Sequence, residues 1–149
     1  MGQSTTASAS TSTKLPTVGE LQRQLSQRIQ AFYKGQLEHQ PGKVTCQLFD
    51  HSLAIVMEDA MTQPESLLKG NGYEDLASTV RSRLEQLVQP ELKSLLEEVL
   101  QVDVKDLLSD ATSETGRSGM IAILEATPNV RNPESIPQHK KSPSDSESK

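Results

Sequence analysis

At 149 residues, with one cysteine, three histidines and a formal charge of −5, the chain has room for one domain and lacks the raw material of several function classes. The stretch 15–128 holds 10 Lys and Arg against 17 Asp and Glu, a net −7 that repels phosphate backbones; with aromatics at 3% there is little to stack on bases, so nucleic acid is not an expected partner. Cys46 alone allows neither an intramolecular disulfide nor a thiolate cluster, and the longest apolar runs, 53–57 and 120–124, fall far short of the ~18 residues needed to span a bilayer, so direct membrane insertion is not expected.

Residues 1–14 are almost wholly Ser, Thr, Ala and Gln, and residues 129–149 are rich in Pro, Ser, Lys and Glu. Neither stretch offers the apolar surface that offsets ordering entropy, so both are read as disordered tails around a single domain at 15–128. Met1-Gly2 followed by Thr6 matches the spacing of a myristoylation signal, a short and common pattern, and no charged-then-apolar secretory leader is present. A cytoplasmic protein is the expectation.

Thr17 and Glu20 have the spacing of a capping box, and Val18, Leu21, Leu25, Ile29 and Phe32 follow at steps of three and four, which predicts a helix stopped near Gly35. Such a stripe serves a core, or a seam with a second chain. After the Pro41-Gly42 turn, residues 44–49 and 53–58 alternate in the period-two manner of strands around Asp50-His51, a hairpin with Val44, Cys46 and Leu48 on one face and Leu53, Ile55 and Met57 on one face. Cys46 in that setting is a small buried hydrophobe rather than a nucleophile.

Thr62 and Glu65 repeat the capping spacing and predict a short helix through Leu67 and Leu68, ended by Gly70-Asn71-Gly72. A long helical region follows, with Leu76, Val80, Leu84 and Leu87 continued by Leu92, Leu95, Leu96 and Val99, and with Pro90 as a kink or a restart. Strand character returns at 102–108 and 120–126 around the polar stretch 109–119, a second hairpin with a long connection. The predicted fold is α+β: a mainly antiparallel sheet of two hairpins with helices packed on one face.

The chemistry-bearing residues form no recognisable catalytic set. His39, His51 and His139 lack metal-ligand spacing, no serine sits in Gly-x-Ser-x-Gly, and Gly70-Asn71-Gly72 lacks the Lys-Ser/Thr of a phosphate loop. No catalytic residue, metal or cofactor is therefore assigned. The candidate ligand or partner site gathers Glu58 and Asp59 at a strand end, Glu65 on the next helix, Arg81, and Ser109-Asp110 after a strand. Each also has a structural reading: Glu65 as a capping residue, Glu58 and Asp59 as solvated strand-end charges, Arg81 as the surface i, i+4 partner of Glu85, and Ser109-Asp110 as a turn pair.

With the elements in order, the chain resembles the MpsC family, small bacterial proteins named as a component of a sodium-translocating, membrane-potential-generating system. The resemblance spans roughly residues 20–127 and rests on Phe32-Tyr33, the run from Leu53 to Glu58, Met61-Thr62 with Glu65 and Leu68, Val80-Arg81 with Leu84, Pro90-Glu91-Leu92, and Val104 leading to Leu107-Leu108-Ser109-Asp110. It departs from the family pattern near Asp59 and near Gln101, where glycine is usual. The resemblance implies an accessory or regulatory subunit of membrane cation or inorganic-carbon transport machinery, held at the membrane through partner subunits rather than by its own insertion.

Two functions are carried forward. One is a non-catalytic interaction module, expected as a homodimer and as a partner of membrane transport subunits. The other is a small ligand-binding enzyme that uses Glu58, Asp59, Glu65 and Arg81 beside the 109–119 stretch. An exposed apolar patch distinguishes the first, a concave site of gathered charges the second.

Overall fold

The computed structural model describes residues 14–139. The elements run α1 (Val18–Leu37), β1 (Lys43–Phe49), β2 (Ser52–Glu58), α2 (Gln63–Gly70), α3 (Glu74–Leu100), β3 (Val104–Thr112), β4 (Arg117–Leu124) and a 3-10 turn at Pro133–Ser135. The four strands form one antiparallel sheet in the order β1-β2-β4-β3. This is the expected α+β architecture of two hairpins with helices on one face.

α1 begins as the sequence dictates. The Thr17 hydroxyl accepts the Glu20 N–H at 3.1 Å, and the Glu20 carboxylate accepts the Thr17 N–H at 2.9 Å. Val18, Leu21, Leu25 and Ile29 enter the core, so this stripe is spent inside the chain rather than on a second one. The helix does not stop at Gly35. It continues to Leu37, which packs against the core, and ends on Glu38 in the left-handed conformation. The last apolar position on the buried face is Tyr33, with Phe32 only half-buried beside it.

On the sheet, Val44 stands opposite Met57, Cys46 opposite Ile55 and Leu48 opposite Leu53, so the two predicted apolar faces form one surface under the helices. Cys46 is buried there, and burial pushes its thiol up to about 11, so it stays protonated near neutrality. The second hairpin differs from expectation. β3 extends through Ser109 and Asp110 to Thr112 and β4 starts at Arg117, which leaves a four-residue turn closed by Gly116 at φ 72° in place of a long loop. The inward side chains there, Ser109 and Ala111, are too small and polar to announce a strand, yet their backbones pair in register with Met120 and Ser118.

Two further readings are corrected. α3 runs through the exposed Pro90 without ending, so no second helix starts there. Residues 129–139 are not a loose tail. Val130 and Ile136 are buried in the core, the Asn132 side-chain carbonyl accepts the Val18 N–H at 2.8 Å, and the backbones of Arg131 and Pro137 bond to Pro16 and Asp50. Two apolar residues scattered among prolines and charges are diluted in any composition window, which hid them. The expected tails at 1–13 and 140–149, with the Met1-Gly2 pattern, lie outside the described residues.

Asp59 and Gln101, near which the family pattern carries glycine, both have positive φ, 52° and 59°. The left-handed region disfavours a Cβ by roughly 1 kcal/mol, so these positions want glycine for backbone conformation. Gln101 caps the end of α3, with its N–H on the Glu97 carbonyl. Gln101→Gly is accordingly expected to raise the unfolding free energy by about 0.5–1 kcal/mol, read as a higher urea midpoint at unchanged slope.

Candidate functional site

The first half of α3 presents three different faces. Ala77, Arg81, Glu85 and Val88 turn inward. About a third of a turn to one side, Ser78, Ser82, Gln86 and Gln89 line a cleft of about 500 Å³ whose far wall is β3. On the other side lie the apolar residues from which a buried stripe was expected: Leu76 and Leu87 are 48% and 74% exposed, and Val80 and Leu84 are half-buried. The sequence reading had the helix about a quarter turn out of phase, because the inward face carries an ion pair where aliphatics are the rule.

That ion pair is a closed network. Arg81 Nε and Nη2 donate to the two carboxylate oxygens of Glu65 at 2.8 and 2.9 Å, Nη1 donates to Glu85 Oε2 at 2.9 Å, and Nη2 also donates to the Ala60 carbonyl at 2.5 Å. Glu65 further accepts the N–H and the hydroxyl of Thr62 at 3.1 and 2.7 Å, and Glu85 accepts the Tyr33 hydroxyl at 3.3 Å. Glu65 is 1% exposed and Arg81 and Glu85 are each 9% exposed, so this is no surface salt link. Burial alone would lower the Arg81 pKa; the hydrogen bonds and charge of Glu65, then those of Glu85, outweigh it and hold the guanidinium above its ordinary value. Burial, reinforced by the Glu85 charge, drives the Tyr33 phenol well above its usual range.

Of the candidate residues, Glu65, Arg81, Ser109 and Asp110 border this one cleft. Glu58 and Asp59 do not. Glu58 pairs with Arg117 at 3.4 Å on the opposite, outer side of the sheet, and Asp59 is an exposed loop residue whose carbonyl meets His39 Nε2 at 2.7 Å. The turn that closes the second hairpin is tied to α2 by a hydrogen bond from Lys69 Nζ to the Ser113 carbonyl. Sequence reasoning missed Glu85 and Tyr33. The Arg81–Glu85 spacing was visible, but the wrong helix phase set it on the surface.

Chemically, both carboxylates and all three guanidinium nitrogens are engaged with one another or with backbone and hydroxyl groups. A proton transfer or nucleophilic attack by any of them would first have to break a buried charge pair. What the cleft offers a visitor is a row of hydroxyl and amide side chains, with Asp110 and Arg117 and the apolar Leu107 and Leu108 on the β-hairpin side. Among the described residues no three His, Cys, Asp or Glu side chains come together as a metal site.

Among the described residues no helix is long and apolar enough to cross a membrane. A family model described as "Na+-translocating membrane potential-generating system (MpsC)" matches residues 17–126. No curated protein and no solved structure matches the chain.

Proposed function

We propose a docking role for this chain, which belongs to the MpsC family of the Na+-translocating membrane potential-generating system: it is a non-catalytic accessory subunit that binds a membrane subunit of that system through the apolar outer face of α2 and α3. The observation that carries this reading is the exposure of Leu67 at 67% on α2, of Tyr73 at 59% just before α3, and of Leu76 at 48% and Leu87 at 74% on α3, the two helices packed against each other. Single exposed leucines are ordinary, but Leu76 and Leu87 at helical spacing, with Val80 and Leu84 half-buried between them, have the character of an interface core awaiting a partner. With no span of its own among the described helices, the chain reaches the membrane through that partner. Once docked, it acts as a regulator by binding one conformation of the partner more tightly than another.

The alternative, a small ligand-binding enzyme, has less support, because the charged groups that would do its chemistry are already bound to each other. The docking reading is tested by affinity capture from detergent-solubilised native membranes with Leu76→Gln/Leu87→Gln. These are exposed helical positions and glutamine is a good helix former, so stability should change by less than about 0.5 kcal/mol per site. Capture of the membrane subunit is expected to fall at least about tenfold. Undiminished capture by this folded variant would end the assignment of the face.

A further inference from the structure

Both long helices pack on one side of the sheet, and among the described residues no helix covers the other. Cross-strand pairing arranges that outer side in rows. One row reads Thr45, Val56, Gly119, Asp110, and the next Gln47, Ala54, Ile121, Leu108. Val56 is 43% and Leu108 60% exposed, with Ile121 and Ile123 half-buried between them. The charged end of the face carries Lys43, Glu58 and Arg117.

Gly119 has no explanation within one chain. It lies in the middle of β4, its φ is not positive, and a Cβ built on it would meet nothing nearer than the Ile55 carbonyl at 3.9 Å, an ordinary contact. A mid-strand glycine weakens a sheet and otherwise marks a bulge or a close approach from outside; the only register shift in this hairpin is at Val104/Asp106. The outer face at Gly119 is thus open to a close approach from outside the chain.

The occupant is identified by self-complementarity. Rotating the sheet by half a turn about an axis parallel to its strands lays β2 of one copy over β4 of the other. Val56 then stands over the hollow at Gly119, Ala54 over Ile121, and Ser52 over Ile123, small against large in each row. The same rotation sets Glu58 of each copy over Arg117 of the other, opposite charges, in two pairs that flank the twofold at the charged end of the face. The sheet edges are less available. Gln22 accepts the Leu48 N–H at 2.8 Å on the open side of β1, and Gln89 donates to the Leu107 carbonyl at 3.1 Å on the open side of β3.

We propose that a second copy of this chain covers the outer sheet face, sheet against sheet, with Val56 seated over Gly119 of the partner copy. The helical docking faces remain outermost in this dimer, so the proposal does not depend on what they bind, whereas Leu108, Asp110 and Arg117 border both the cleft and the covered face. With strands of about seven residues the face measures roughly 19 by 23 Å. That footprint is smaller than the ~800 Å² per partner of a standard interface, which points to micromolar rather than nanomolar association.

The test is the mass of the full chain in solution at about 100 μM by light scattering and sedimentation. Wild type is expected at two chains and Gly119→Thr at one, with an unfolding temperature no lower than wild type, since threonine suits a strand and a Cβ there meets nothing nearer than 3.9 Å. Glu58→Arg and Arg117→Glu alone should each raise the dissociation constant at least about tenfold, and mixing the two variants one to one should restore the two-chain mass. A role confined to the intrachain Glu58–Arg117 bridge would not be rescued by mixing. A wild type that is monomeric at this concentration, a Gly119→Thr variant that stays dimeric, or a mixture that fails to recover overturns the proposal. So does a dimer lost with Leu76→Gln/Leu87→Gln but kept with Gly119→Thr, which would move the contact to the helical face.

Discussion

Arg81→Met is expected to lower the unfolding free energy by about 3–5 kcal/mol, the cost of leaving a buried charge without its partner. Methionine fills nearly the same space, so little of the loss is cavity. What remains is Glu65 and Glu85 in a site where they are 1% and 9% exposed, with four charge-assisted or carbonyl hydrogen bonds from the guanidinium gone. The loss shrinks when the carboxylates are neutralised as well. Adding Glu65→Gln and Glu85→Gln keeps acceptors for Thr62 and for the Tyr33 hydroxyl while removing both stranded charges, so the triple variant should regain most of the lost stability. Urea midpoints of wild type, single and triple variants decide the matter. If the single variant were as stable as wild type, the network would carry no structural weight.

Ending the chain after Thr127 is expected to cost about 3–6 kcal/mol, on the order of 1.5–3 kcal/mol for each of the buried Val130 and Ile136 side chains. That is a large part of the 5–15 kcal/mol typical of a whole domain. The truncation also strips the Asn132 carbonyl from the Val18 N–H, so the start of α1 should loosen together with the core. Hydrogen exchange on residues 18–21 and thermal unfolding of the truncated chain read the two consequences separately. The match to the family model ends at residue 126, so this layer of packing lies beyond the matched region.

How much of this was legible in the sequence depended on whether local and tertiary signals agreed. Around Thr17, Thr62 and the β1–β2 hairpin they did: caps, periodicity and turn residues all pointed to the elements observed. On α3 they conflicted. Leu76, Val80, Leu84 and Leu87 make the more apolar stripe, yet the fold turns Arg81 and Glu85 inward because Glu65, brought round by α2, supplies a bidentate partner. Nothing local to α3 announces that partner, which lies 16 residues away. The same holds for the cleft: Ser78 and Ser82 face Ser109 only once β3 has been laid beside α3, and neither segment shows the gap by itself. Glu58 illustrates the converse error, since it lies near Glu65 in sequence but points to the opposite side of the sheet.

On the proposed docking role, the charged network holds the fold while the apolar surfaces do the binding. The most direct test of this claim is the affinity of the Arg81→Met/Glu65→Gln/Glu85→Gln chain for the captured membrane subunit, measured beside wild type. Binding within about twofold of wild type by this charge-free but folded variant is the predicted result, since no interface contact has been touched. A loss of tenfold or more with the fold intact would show that the network itself meets the partner or a ligand, and would contradict the claim.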